Sequence, residues 1–193
     1  MLILEGSDYL GKTTAANRLV ELASERAARG VKLLETGDDL TIRDAIFPVR
    51  YCHMTRPNLA FDHFTDFQDL ISVHAVQDRF HLGSLAYHEN AITAETLSFI
   101  EAWLGNVGSY TVVFISTNKE WYEKRLQTSS RKEMFSIEQL CKVNDIYFDM
   151  VAGNYLFPVK IDRTICIDEN SWPTDELLND ILDCWYRRLK CMK

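Results

Sequence analysis

Apolar runs alternate with helical apolar faces along this chain. Met1-Leu2-Ile3-Leu4 is a continuous apolar run, the pattern of a strand buried on both sides. From Thr13 the period changes to a helical one with Ala15, Leu19, Leu22 and Ala23 on one face, and Gly30 marks the expected stop. Residues 31–47 are ambiguous: 31–34 suit a strand, Gly37-Asp38-Asp39 a turn and 41–47 a short helix. Residues 49–54 read as a strand that breaks at Pro57, and 61–70 are aromatic and acidic at helical spacing. A third strand is expected over 71–77, ending in Asp78-Arg79, with a helix over 93–104 stopped at Gly105-Asn106.

Residues 110–115 form a fourth apolar run, and Asn118 is placed to cap a helix over 121–126. Ser136 and Gln139 have the spacing of a capping box for a helix reaching about Met150. Residues 161–167 supply a fifth strand, and 175–189 an amphipathic helix with Leu178, Ile181, Leu182, Trp185 and Leu189 inward. Strand and helix in alternation imply an α/β fold: a five-stranded parallel sheet with helices on both faces and ligands at the carboxyl ends of the strands. No repeat or linker interrupts residues 1–193, so one domain is expected.

The turn after the first strand carries the most specific chemistry. Gly6-Ser7-Asp8-Tyr9-Leu10-Gly11-Lys12-Thr13 has the spacing Gly-x-x-x-x-Gly-Lys-Thr, and with Thr14 it opens the first helix. Backbone N–H groups in such a loop, together with the helix start, cradle phosphate oxygens. Lys12 brings a point charge to the β- and γ-phosphates, and the Thr13 hydroxyl suits Mg²⁺. Strand, loop and helix in this order support an ATP site. Asp78, at the tip of the third strand, is the expected second Mg²⁺ ligand, with Arg79 beside it. The stretch 127–135 is polar with Arg131 and Lys132 at its centre, a candidate lid over the phosphates. Asn118-Lys119-Glu120-Trp121 approaches the guanine-reading Asn-Lys-x-Asp, but Trp121 stands where the carboxylate is needed, so a GTPase reading fails.

Composition narrows the remaining classes. The net charge of −7 disfavours nucleic acid and anionic membranes as partners, so phosphate recognition must be local. Five scattered cysteines with no Cys-x-x-Cys pair suggest reduced thiols, not a zinc site or a disulfide framework. The first strand starts without a preceding basic stretch, and no apolar run nears the ~20 residues that span a bilayer; a cytoplasmic protein is expected.

Two stretches together carry a family resemblance. Leu4-Glu5-Gly6-Ser7-Asp8-Tyr9-Leu10-Gly11-Lys12-Thr13-Thr14 resembles the Phe-Glu-Gly-x-Asp-x-x-Gly-Lys-[Ser/Thr]-Thr loop of the thymidylate kinases. Asp78-Arg79-Phe80-His81-Leu82-Gly83-Ser84-Leu85-Ala86-Tyr87-His88 resembles their Asp-Arg-[Tyr/Phe]-x-x-Ser-x-x-Ala-[Tyr/Phe]-Gln signature, and looks most like compact viral deoxynucleoside-monophosphate kinases. The resemblance implies a P-loop kinase fold using ATP and Mg²⁺, with a small-molecule nucleotide as acceptor and a homodimer as one open assembly. It places Asp8 at the acceptor's sugar, Asp78 and Arg79 at the metal shell and the reacting phosphates, Ser84, Tyr87 and His88 at the acceptor pocket, and Arg125 against the adenine. Arg56, in Thr55-Arg56-Pro57, would hold the acceptor phosphate, and Phe64 or Phe67 would stack on its base; a core role fits these two phenylalanines equally.

Departures from the pattern bear on specificity and catalysis. His88 replaces the base-reading Gln, which points away from strict thymine preference, and Thr55-Arg56-Pro57 lacks the family's Glu. Tyr9 replaces a P-loop arginine, so Arg131 becomes the expected catalytic cation beside Lys12, Asp78 and Arg79. Two other functions stay open: a kinase of the same fold acting on a hydroxyl of a deoxynucleoside or of a modified base in DNA, and a nucleotide-binding regulator without turnover. A hydroxyl acceptor would require Asp78 or Glu5 as proton acceptor.

Overall fold

Strand β1 (Leu2–Gly6) is buried at every position, because its alternate side chains enter two separate apolar layers. The fold belongs to a computed structural model that describes residues 1–36, 49–53, 74–88, 92–128 and 135–190. Helix α1 (Lys12–Thr36) follows β1, then β2 (Arg50–His53), β3 (Ala75–Asp78), α2 (His81–Tyr87) and α3 (Ala94–Asn106). The chain continues through β4 (Tyr110–Ile115), α4 (Lys119–Gln127), α5 (Ile137–Ala152), β5 (Arg163–Cys166) and α6 (Asp175–Lys190). The five strands are parallel in the order β2-β3-β1-β4-β5, with Leu4 opposite both Asp78 and Val112 and Gly6 opposite Phe114. Strand order therefore reverses at β1, and the crevice at its carboxyl end is the ligand position of such sheets.

Leu2, Leu4, Val112 and Phe114 meet Ala15, Leu19 and Ala23 of α1 and Leu178, Ile181, Leu182 and Trp185 of α6 on one face. Ile3, Val113 and Ile115 meet α2, α3 and α5 on the other through Leu82, Leu97, Ile100 and Tyr147. Helices thus cover both faces, as the alternation of elements predicts. The capping box is complete: the Ser136 hydroxyl accepts from the Gln139 N–H, and the Gln139 side chain accepts from the Ser136 N–H. Asn118 caps α4 by accepting from the Trp121 N–H at 3.0 Å, so its carboxamide is committed to the helix.

Some expected boundaries move. Helix α1 passes Gly30 and ends at Thr36, which removes both the stop at Gly30 and the strand over 31–34. Gly30 is buried and keeps a helical backbone, and a glycine inside a helix costs only about 1 kcal/mol, within reach of tertiary packing. Residues 81–87, unassigned by the hydrophobic pattern, form α2. Strand β5 is shorter than the expected 161–167. Strand β3 begins at Ala75, and the segments expected as helices over 41–47 and 61–70 lie outside the described residues. Among the described residues no helix is long and apolar enough to cross a membrane.

Helices α1 and α6 are also joined by a buried ion pair. Arg26 donates to Asp183 at 2.7 Å and to the Asn179 side chain at 2.6 Å, with side-chain exposures of 3% for Arg26 and 7% for Asp183. Breaking a buried pair strands the remaining charge, so Arg26→Ala is expected to lower unfolding stability by about 3–5 kcal/mol in urea titrations. Arg26→Met with Asp183→Leu should recover most of that loss; no recovery would mean that the pair's cost is not set by the stranded carboxylate.

Candidate active site

Gly6 ends β1 with φ 131°, and a Cβ there would lie 2.1 Å from the Phe114 carbonyl oxygen. No side chain fits so close an approach to β4. Gly11 has φ 77° and faces the Trp172 ring, whose Cζ3 would be 2.7 Å from a Cβ. Between them Tyr9 has φ 63°, an uncommon conformation for a tyrosine, while Leu10 is buried in the core. The Ser7 hydroxyl is buried and donates to the Leu140 carbonyl at 3.1 Å. It lies 2.5 Å from the Tyr122 hydroxyl, which also reaches the Asp8 carbonyl at 2.9 Å. The loop is thereby tied to α4 and α5 before any ligand arrives.

Lys12 and Thr13 open α1 directly after the loop, and Thr14 is exposed in the same turn. The Lys12 ammonium is buried and donates to the Ser7 carbonyl at 2.5 Å. Burial pulls its pKa down from the ordinary lysine value to about 8, against the upward pull of Asp78 and Glu5. Thr13 Oγ1 donates to Asp78 Oδ2 at 2.6 Å, and the Tyr51 hydroxyl reaches the same oxygen at 3.2 Å. Burial, then the Asp78 charge, pushes the Tyr51 phenol up to about 12. Thr13 and Asp78 are hard oxygen donors side by side, which fits Mg²⁺ held by one or two protein ligands plus phosphate and water. No group of three or more His, Cys, Asp or Glu that could hold a metal occurs among the described residues.

Behind this pair Glu5 is fully buried. Its Oε1 accepts from the Phe80 N–H at 2.9 Å and the Leu82 N–H at 3.0 Å, and its Oε2 from the Tyr147 hydroxyl at 3.0 Å. Burial pushes its pKa up, while the neighbouring His81, the Tyr147 hydroxyl and the backbone of Gly83 and Phe80 pull it back. Gly83 leaves room for the carboxyl: a Cβ there would be 3.3 Å from Glu5 Oε2.

The stretch from Asp78 to His88 meets the loop at Asp8. Arg79, held at φ 67° after β3, pairs with Asp8 Oδ1, and the Tyr87 hydroxyl donates to Asp8 Oδ2 at 2.9 Å. The Arg79 guanidinium also lies over the Tyr87 ring at 5.1 Å. Next to Tyr87, a cavity of about 390 Å³ is walled by His88, Phe135, Gln139 and Lys142. Phe135 packs 5.2 Å from Tyr87 and 6.4 Å from His88, centroid to centroid. Ser84 does not reach that wall: it is fully buried, and its hydroxyl has no hydrogen-bond partner among the described residues.

On the loop's opposite flank, Arg125 donates from Nε to the Tyr9 carbonyl at 2.8 Å. Its guanidinium lies 4.6 Å from the Trp172 ring centre and 5.6 Å from that of Trp121. Arg56, Phe64, Phe67, Arg131 and Lys132 lie outside the described residues, as does most of the expected lid over 127–135. The structure thus brings together Lys12, Thr13, Asp78, Asp8, Arg79, Tyr87 and His88. It adds Tyr51, Tyr122, Phe135 and Trp172, none of which carries a local motif.

The order of strands, the loop after β1 and the carboxylate ending β3 define a nucleotide kinase-like α/β fold. Among solved structures the chain is similar to the YorR protein of Bacillus subtilis, crystallised in complex with phosphorylated GDP: TM-score 0.61, 20% identity, covering 94% of this chain and 92% of that one. No protein-family model and no curated protein matches the chain.

The lowered pKa of Lys12 yields a test without any assay of turnover. A folded-state pKa of about 8 below the unfolded lysine value means that the unfolded chain binds more protons between pH 8 and about 10.5; stability contributed by this group rises across that window and is lowest below it. Lys12→Met should therefore stabilise the ligand-free protein at pH 7 by up to about 3 kcal/mol, flatten that rise, and abolish the gain in Tm that is expected of the parent if the loop binds Mg·ATP. Thermal melts from pH 7 to 10 with and without Mg·ATP measure all three effects; a variant still stabilised by ATP would disprove the role given to Lys12.

Proposed function

We propose that residues 1–193 act as one kinase domain that transfers the γ-phosphoryl group of Mg·ATP to a deoxynucleoside monophosphate. The observation that carries this reading is the pairing, at one loop, of a buried Lys12 with the Thr13–Asp78 oxygens. A buried ammonium is costly in an empty site and favourable once phosphates neutralise it. The nucleotide-bound neighbour supports a nucleotide as ligand of this fold.

Glu5 is enclosed, and both its oxygens are engaged, so it is not available to take a proton from a substrate hydroxyl. Asp78 Oδ2, the other candidate proton acceptor, already accepts from Thr13 and Tyr51, and together these engagements favour a phosphate acceptor, already a nucleophile, over a hydroxyl. One acceptor phosphate oxygen bonds to the γ-phosphorus as the bond to the β–γ bridging oxygen breaks, giving a diphosphate and ADP. Lys12 offsets charge on the transferring group, and Arg79, positioned by Asp8, approaches it from the acceptor side. Asp78 and Thr13 would hold Mg²⁺, which when bound would supply neutralisation of phosphate charge. Arg131 supplies the remaining cation, since Tyr9 cannot. The acceptor base lies toward His88 and Phe135, where the imidazole offers a donor and acceptor pattern unlike that of Gln. The protein works in the cytoplasm on small-molecule nucleotides, as a monomer or homodimer, without nucleic acid or membrane partners.

A coupled ADP-release assay across deoxynucleoside monophosphates, deoxynucleosides and DNA tests the reading. Turnover with one or more monophosphates, not restricted to dTMP, is expected; turnover only with deoxynucleosides or DNA would transfer the assignment to a hydroxyl kinase, and ATP binding without turnover to a regulator. Phe135→Ala should raise the acceptor KM about 10-fold with the ATP KM unchanged, as expected for loss of a stacking face. Arg131→Ala should lower kcat by roughly 10²-fold with little change in ATP binding, the signature of a cation engaged mainly in the transition state. Parent-like kcat in that variant would move the charge to Arg79 or Arg56.

A further inference from the structure

Trp172 is a large aromatic side chain left 41% exposed on the loop between β5 and α6. Its benzo rim lies against Gly11, the residue preceding Lys12, and the Arg125 guanidinium covers it at 4.6 Å. Arg125 is itself fixed in place through the Tyr9 carbonyl, and Trp121 meets Trp172 edge to face at 6.4 Å and 70°. The indole is thus held in a defined orientation by the loop and by a cation, while part of its surface stays open to solvent. The turn that carries it is ordered by Asp168, whose side chain accepts from the Asn170 N–H at 2.8 Å.

Two aromatic clusters therefore flank the phosphate loop. Tyr87, Phe135 and His88 stand on the side of Asp8 and Arg79, and Trp172 and Trp121 stand on the side of Gly11 and Arg125. With the acceptor read at Asp8, Arg79 and Tyr87, the second cluster is the aromatic surface left for the base of a donor whose phosphates occupy the loop. Trp172, at 41% exposure, is the more exposed of the two indoles there. We infer that Trp172 is the stacking platform for the base of the phosphate donor and a determinant of donor affinity. The inference rests on the P-loop reading of the proposed function. Stacking on an indole is tolerant of base identity because every base has a π face, so ATP and GTP should bind with similar affinity.

The test separates base stacking from phosphate binding. Binding of Mg·ATP and of inorganic tripolyphosphate is measured by calorimetry on the parent, Trp172→Ala and Trp172→Phe, with thermal melts to confirm folding. Loss of one stacked base predicts about a 10-fold weaker ATP affinity in Trp172→Ala, unchanged tripolyphosphate affinity, and most of the ATP affinity retained in Trp172→Phe. Indole emission should be quenched by ATP in the parent, not by tripolyphosphate, and the quench should vanish in Trp172→Phe. Equal weakening of ATP and tripolyphosphate would overturn the inference, because Trp172 would then only support the loop; so would unchanged ATP binding. A parent that binds neither ligand would defeat the P-loop reading first, and the inference with it.

Discussion

Glu5 is a carboxyl group with no exposure, one residue before the phosphate loop, and much of the site is positioned by what it accepts. Its hydrogen bonds reach the start of α2 through Phe80 and Leu82 and the middle of α5 through Tyr147. Burying such a group is unfavourable by itself, and the donors gathered around it offset the cost. Once β1, α2 and α5 are joined at this point, the neighbouring geometry follows. Arg79 and Tyr87 stand at the two ends of the α2 segment and both turn to Asp8, and α5 supplies the Gln139 and Lys142 wall of the cavity. Gly83 belongs to the same constraint, since a side chain there would press on the Glu5 oxygen.

Around this fixed point the molecule stores unfavourable charge where a ligand is needed. Lys12 is buried with its pKa lowered, and Asp78 ends β3 beside it with a hydroxyl and a phenol turned toward one oxygen. Uncommon backbone conformations collect in the same place, at Tyr9 and Arg79 as well as at the glycines. Local strain of this kind persists only where the surroundings over-determine it, and here the ties from Tyr122, Arg125 and Leu4 to the backbone do so.

The centre of the sheet was legible because β1 and β4 are apolar runs bounded by turn chemistry, and the caps at Asn118 and Ser136 were legible because their partners lie three residues away. The length of α1 was not: Gly30 reads locally as a stop, and only its burial in the folded protein decides otherwise. Motif spacing singled out the loop and Asp78, and the fold brings Thr13 and Asp78 within 2.6 Å. Phe135 and Trp172 were not singled out, because each becomes part of the site through contacts that no sequence period encodes, Phe135 with Tyr87 and Trp172 with Gly11. The proton-acceptor role open to Glu5 in the sequence is closed by the same kind of long-range contact, with Tyr147 lying 142 residues away.

The two flanks of the loop differ in a way that bears on division of labour. On the acceptor side the arginine is paired with a carboxylate, so Arg79 is oriented but partly neutralised until an anion competes with Asp8. On the donor side the arginine is packed against indoles and bonded to a backbone carbonyl, so Arg125 keeps its full charge while its position is fixed by the chain. A cation with a displaceable partner suits a phosphate that must enter, react and leave at each turnover. A cation held by aromatic faces suits a surface that is the same before and after reaction. The asymmetry follows from side-chain chemistry alone, and under the proposed function Asp8 would release Arg79 when an acceptor phosphate arrives.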